Sequence, residues 1–230
     1  QGMPAGYRVA RVYVDRSAEG RGVGGALAAR LRDAVDAEAT KVRNRMFDDD
    51  PRSLAIARHW GLEVEQHSLT SSMPIADTAR PDPPAGVSLE DCPTLSFPDA
   101  GAVEAMLLAS QTNPEAMRGL RFTLEGLRTF VSPTDTPVGV LARVSGRPAA
   151  LSFGARRDEV LHFSYTGVGP THRGRGLARL VKQHAHWRAA TLGATVAVTD
   201  NEEHNTGIRH VNQRLGYRVD HGVFWLNADV

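Results

Sequence analysis

Cysteine is almost absent. Cys92 stands alone in 230 residues, so no internal disulfide can close, which fits a reducing compartment. No apolar run approaches the roughly 18 residues of a membrane span, and no secretory leader pattern is present. The expected location is therefore the cytoplasm. A surplus of either charge is missing too. The net charge is +1, so no polyanion-binding surface and no nucleic-acid partner is indicated. Lysine is scarce: Lys41 and Lys182 are the only two, so 25 of the 27 basic residues are arginine. With abundant alanine, this suggests a high-GC bacterial source. Gln1 and Gly2, ahead of Met3, read as a non-native addition. What is left is ordinary globular composition, 41% hydrophobic and 23% charged, with room for one large domain or two small ones.

One stretch stands out. Val160 to Val168 is rich in β-formers, a glycine-rich turn follows through Gly176, and an amphipathic run extends from Leu177 to about Leu192. Strand, glycine turn and helix start together form an anion cradle. Gly174 and Gly176 let the backbone approach a ligand or take φ > 0. The first helical N–H groups are unpaired and lie at the positive end of the helix dipole. No Gly-Lys-Ser/Thr follows, which excludes a P-loop. The dinucleotide spacing fails as well, because Arg179 stands where a third glycine would be required.

The run Arg173-Gly174-Arg175-Gly176-Leu177-Ala178 resembles motif A of the GNAT (GCN5-related N-acetyltransferase) superfamily, whose signature is Arg/Gln-x-x-Gly-x-Gly/Ala at a strand-to-helix turn. The resemblance implies that Arg173, Gly174, Arg175, Gly176, Leu177 and Ala178 hold the pyrophosphate of acetyl-CoA, which serves as cosubstrate. A second element, Asn205 with Gly216 and Tyr217, is similar to the family's Asn-x-x-Ala-x-x-Leu-Tyr-x-x-x-Gly-Phe. It implies that Asn205 caps a helix and contacts the pantetheine arm. The family's tyrosine, proposed to protonate the departing thiolate, is here Asn212, which has no proton to give. Asn212 and its surroundings bear a modest resemblance to tandem-domain members of the mycothiol synthase type.

The motif pattern recurs upstream, with Arg21, Gly24 and Ala26 in the matching places. Arg21 and Arg173 stand 152 positions apart. Val87 leads Arg173 by 86 residues, whereas only 20 precede Arg21. The first copy therefore reads as a C-terminal half. It has a strand over 7–14, a helix through Leu27, Leu31, Val35 and Glu38, a strand over 41–47, a helix over 51–60 stopped by Gly61, and a closing strand over 63–73. Asp50 takes the place of Asn205 and Ala57 that of Asn212, so this copy is expected to be degenerate. The expected division is a partial domain over 1–78, a proline-rich linker over 79–86 and a complete domain over 87–230. Strands are expected over 137–144 and 147–155, joined at Ser145-Gly146, then at 160–168, 194–199 and 219–226. Helices are expected after Asp99, over 123–131 and over 205–215. The fold class is α/β with a mixed sheet.

The catalytic candidates follow from acyl-transfer chemistry. In the family the strand ending at Val168 splays from its neighbour beside a bulge, and Gly167 suits that bulge. Val168 N–H would then hold the thioester oxygen. One aligned donor of this kind contributes about 3 kcal/mol. A general base must take a proton from the acceptor amine. Asp200, Glu202 and Tyr165 are the candidates, with Glu202 read as more at home in a solvated loop. Alternation puts Phe163 and Tyr165 on one face of their strand, and His162 and Ser164 on the other. His184 and His186, two apart on a helix, do not share a face, and no metal site is expected. Cys92 has no partner that would make it a nucleophile.

The resulting expectation is transfer of an acyl group, acetyl by resemblance, directly to an amine on a small molecule or peptide. A homodimer or the second domain would cover the incomplete half. The alternative is a non-catalytic CoA-binding or assembly module.

Overall fold

A computed structural model describes residues 6–35, 38–111 and 121–229. The chain divides into two compact units, 1–68 with 221–230, and 69–220. This cuts across the division expected from sequence. The proline-rich 79–86 segment is not a boundary, because it lies inside the second unit. The last strand of the chain completes the first unit, and the strand that ends the first half of the sequence continues into the second unit.

In the first unit, β1 (Tyr7–Val9) lies parallel to β2 (Lys41–Phe47), and β2 pairs antiparallel with β9 (Arg218–Asp229) from Lys41↔Asp229 to Phe47↔Val223. β3 (Glu63–Pro74) follows β9 in the strand order. Two helices, α1 (Val23–Ala34) and α2 (Pro51–His59), join these strands. β1 is much shorter than the expected 7–14 strand, because the chain leaves the sheet after Ala10 donates to the Arg43 carbonyl. α1 also ends early, at Ala34, before Val35 and Glu38. It buries none of its residues.

In the second unit the strand order is β3, β8 (Val196–Glu202), β7 (Val160–Val168), β6 (Arg147–Arg157), β5 (Thr136–Val144), β4 (Val87–Asp91). β4 to β7 form an antiparallel run, and β7 to β8 is parallel. Helices cover both faces. On one face, α5 (Leu177–Thr191) lays Leu177, Leu180, Val181, Ala185 and Ala189 against Val138, Val140, Leu161 and Ala197. These positions recur at three- and four-residue intervals, which is why the run is a helix with one apolar stripe. On the other face, α3 (Ala100–Ser110) and α4 (Leu124–Arg128) bury Val103, Met106, Leu107, Leu124 and Leu127 against Leu141, Leu151, Phe153 and Tyr165. α6 (Thr206–Leu215) precedes β9 and stops at Gly216, where φ is +103°.

Asp99 occupies the N-cap of α3, but its side chain makes no capping bond. Its carboxylate instead receives both terminal nitrogens of Arg143, at 2.7 and 2.8 Å. Thr123 does cap α4, accepting from Gly126 N–H at 2.9 Å.

Candidate active site

The site is built where β7 leaves the sheet. β7 pairs with β8 from Val160↔Val196 only as far as Phe163↔Thr199. At that point the ladder with β6 shifts register. Phe153 faces Tyr165 while Gly154 faces Phe163, so Ser164 is an extra residue. This is the expected bulge, but it lies at Ser164 and not at Gly167. Its consequence corrects the alternation read from sequence. Phe163 packs with the α5 side and Tyr165 with the α3 side, because one inserted residue turns the following side chains over.

Beyond the bulge, β7 bonds to β6 alone. Gly169 N–H donates to the Ala149 carbonyl at 2.8 Å. In an antiparallel ladder the N–H direction alternates, so Val168 N–H points away from β6, into the gap left by β8. Gly167 serves a different purpose from the one expected. A Cβ there would sit 2.0 Å from the Tyr165 hydroxyl and 2.6 Å from Ser110 Oγ. The missing side chain leaves room for Ser110 and Tyr165 to bond over it. Ser110 Oγ also donates to the Leu107 carbonyl at 2.7 Å. Tyr165 is buried, and that burial pushes its hydroxyl up to about 12 against smaller opposing effects of Ser110 and Arg173. It is therefore a neutral hydroxyl at neutral pH, not a base.

A 3-10 turn over Pro170–His172 leads to Arg173, whose backbone is extended. The Arg173 guanidinium donates to the Ser110 carbonyl at 3.1 Å and the Val168 carbonyl at 3.4 Å. Gly174 and Gly176 then take φ of +74° and +75°. Gly176 is the left-handed N-cap of α5, and no side chain caps this end. A Cβ at either glycine would meet nothing within 4 Å. Leu180 N–H closes the first helical bond to the Gly176 carbonyl. The N–H groups of Leu177, Ala178 and Arg179 precede that bond and are left to face whatever occupies the turn. Leu177 anchors the turn by its buried side chain, while Arg173, Arg175 and Arg179 are exposed.

The remaining candidates lie elsewhere. Asp200, on β8, is exposed and accepts from the Thr70 hydroxyl. Glu202 is not in a solvated loop. It is the last residue of β8 and only 3% exposed. Asn205 occupies the N-cap of α6 without a side-chain capping bond, so the expected capping role is not performed by its carboxamide. His184 bonds Asp91 at 2.8 Å and His186 bonds the Tyr217 hydroxyl at 2.8 Å, so the two rings serve separate partners. Burial pushes the Cys92 thiol up to about 12, which leaves no thiolate at neutral pH.

One buried group escaped the sequence reading. Lys182, on α5, has no exposed surface. Its Nζ donates to Asn212 Oδ1 at 2.7 Å and lies 4.2 and 4.6 Å from the ring centres of Phe163 and Tyr217. The available signal was its spacing. Lys182 and His186 are one turn apart, a place where two polar side chains on an apolar-flanked stretch share a face.

The upstream turn has the same construction but a different register. A 3-10 turn over Arg16–Ala18 leads to Gly20 at φ +72° and Gly22 at φ +76°, the latter being the N-cap of α1. The structural equivalents are therefore Gly20 with Gly174 and Gly22 with Gly176, 154 positions apart rather than 152. This overturns the matching of Arg21 to Arg173. Arg21 corresponds to Arg175, and Glu19 stands in the place of Arg173, ion-paired to Arg52 at 2.7 Å.

The comparison with solved structures decides the fold. The chain superposes on a tandem GNAT protein from the clavulanic acid biosynthesis pathway with a TM-score of 0.74, at 20% identity, over 98% of this chain and 75% of that one. The fold is that of the GNAT acyltransferases. A GCN5-related N-acetyltransferase from Sphaerobacter thermophilus matches at 0.67, with 19% identity over 94% and 71% of the two chains. One from Kribbella flavida matches at 0.63, with 22% identity over 88% and 75%. No family model and no curated protein sequence matches the chain. In this GNAT fold the second unit supplies the strand gap, the glycine turn and the long helix. Among the described residues, no helix is long and apolar enough to cross a membrane.

Proposed function

We propose that the chain is an acyl-CoA-dependent acyltransferase, with acetyl-CoA as cosubstrate and an amine as acceptor, acting through its second unit. The observation that carries this reading is the uncapped N-terminus of α5 behind left-handed Gly176, set at the end of a strand that has just parted from its neighbour. The space outside Gly174 and Gly176 is open, which leaves room for a pyrophosphate there. Leu177, Ala178 and Arg179 would offer backbone N–H groups to it, and Arg173 and Arg175 would offer charge. The thioester supplies an activated acyl carbon. Val168 N–H, directed into the gap beside β8, donates to the oxygen on which negative charge develops as the amine attacks. Asp200 and Glu202 remain the candidates for taking up the amine proton, with Tyr165 reduced to positioning. A thiolate leaves without an acid because an ordinary thiol pKa is about 8.5.

The named neighbours include N-acetyltransferases, which supports acyl transfer as the reaction class. The test is calorimetric titration with CoA and acetyl-CoA, followed by thiol release over a panel of amines, amino acids and peptides. Binding with acetyl-CoA-dependent thiol release supports the reading. Absence of CoA binding refutes it, and binding without turnover on any amine leaves a CoA-binding module in its place.

A further inference from the structure

The second unit contains a cavity of about 460 Å³ whose wall includes Asn201, Asn212, Arg209, His210 and Tyr217. Lys182 sits behind that wall. An ammonium group donates and cannot accept. The 2.7 Å contact from Nζ therefore fixes the Asn212 carboxamide with its oxygen inward and its nitrogen toward the cavity side. Asn212 Nδ2 in turn donates to Asn201 Oδ1 at 2.6 Å. One buried cation thus sets the direction of two carboxamides in series. We propose that Lys182 is a positioning residue for acyl transfer, holding Asn212 and Asn201 in a single hydrogen-bond polarity so that Asn212 presents a fixed N–H donor toward this cavity, which would take the acceptor. Its catalytic part rests on the acyltransferase reading above.

The surroundings make this polarity reversible. Lys182 is faced by the Phe163 ring from β7 and by Tyr217, the residue that follows Gly216, and its charge also acts on His186 of α5. Burial holds the His186 ring down at about 3 and keeps the Tyr217 hydroxyl protonated, so neither supplies a charge. Desolvation alone lowers Lys182 to about 7. A neutral amine can accept a hydrogen bond. Deprotonation therefore frees Asn212 to turn its nitrogen inward and its oxygen toward Asn201, which reverses both carboxamides. On this proposal, one proton on Lys182 sets the donor character of Asn212 at the cavity.

With only two lysines in the chain, the test is direct. Lysine-labelled and asparagine-labelled full-length protein is titrated by NMR from acid to alkaline pH, with Lys41→Arg assigning the Lys182 signal. The expected result is a Lys182 Cε midpoint near 7, with the Asn212 and Asn201 side-chain amides moving at the same midpoint. A Lys182 midpoint near the ordinary 10.5, or amides that do not follow it, overturns the proposal. In the thiol-release assay, Lys182→Met is expected to lower kcat by about tenfold or more, leave the KM for acetyl-CoA unchanged and abolish the pH transition near 7. Asn212→Ala should give the same loss, and the double variant no further loss. An unchanged kcat and pH profile in Lys182→Met, or losses that add, refutes the positioning role. If Lys182→Met does not fold, Asn212→Ala and the titration decide. If the unmodified protein releases no thiol with any amine, the acyltransferase reading fails, and the titration still decides the Lys182–Asn212 polarity.

Discussion

Gly167→Ala tests the packing beneath the site most sharply. The added Cβ would lie 2.0 Å from the Tyr165 hydroxyl and 2.6 Å from Tyr165 Cζ and Ser110 Oγ. Contacts under 3 Å cannot persist, so the ring, α3 or β7 must move. The ring has little freedom. Tyr165 is 9% exposed in a cluster with Leu107, Leu151 and Phe153, and Ser110 is fixed through its bond to the Leu107 carbonyl. Overpacking of a well-filled core costs about 1–3 kcal/mol. Losing the Ser110–Tyr165 hydrogen bond costs about 1 kcal/mol more. The expected destabilisation is therefore about 3 kcal/mol, or a fall in Tm of roughly 6–12 °C for a chain of this size. The assay is urea denaturation with thermal melting of the variant and of Gly167→Ala/Ser110→Ala. Removing the serine hydroxyl should return part of the loss but not all, because the tyrosine contact is the closer one. A Gly167→Ala variant within about 0.5 kcal/mol of the parent would refute the close approach and the rigid seat it implies for Val168.

Gly176→Val should weaken CoA binding by more than tenfold in calorimetry and destabilise the fold by about 1–2 kcal/mol, since a β-branched residue is forced to φ +75° and into the open side of the turn. Arg173→Ala should raise the Kd for CoA while Arg21→Ala leaves it unchanged, as measured by the same titration. Stability should rise with pH through the range above about 7. The folded chain keeps Lys182 deprotonated there while the unfolded chain still binds a proton up to about 10.5, a slope of about 1.4 kcal/mol per pH unit. Melting curves at pH 7 and 9 should show this gain in the parent and lose it in Lys182→Met.

The sequence was most legible where a local rule decides the outcome. Lys41–Phe47 and Val160–Val168 are strands with the expected bounds, because runs of β-formers between turn residues have few alternatives. Ser145 and Gly146 both take positive φ at the β5–β6 hairpin, as a two-residue turn demands. What stayed hidden depends on partners far away in the chain. Asp99 looked like a cap until Arg143 took its carboxylate. Glu202 looked solvated until the end of β8 was seen to be buried. The bulge at Ser164 has no composition signal, yet it puts Phe163 and Tyr165 on opposite faces. The compact units also differ from the division expected from sequence, for the same reason. A proline-rich stretch is visible in sequence, but the pairing of β9 with β2 is not.

The repeat gives the clearest case of a right pattern read in the wrong register. Arg-x-x-Gly-x-Ala fits at Arg21, because glycines are frequent enough there to match at more than one offset. Backbone geometry removes that freedom. In the upstream turn it is Gly20 and Gly22 that hold the positive φ pair ahead of a helix, so Glu19 falls where the second turn has Arg173. A carboxylate at that place repels the same phosphate that Arg173 would attract, and Arg52 already neutralises Glu19 at 2.7 Å. The corrected register therefore strengthens the case for asymmetry. α1 has no buried residue to stiffen its turn, whereas α5 has eight. Glu19→Arg should not create a CoA site in the first unit, and calorimetry on the double variant Glu19→Arg/Arg173→Ala should show no recovery of the binding that Arg173→Ala weakens. Recovery would mean that charge alone had separated the two turns, and that the packed helix behind Gly176 is dispensable.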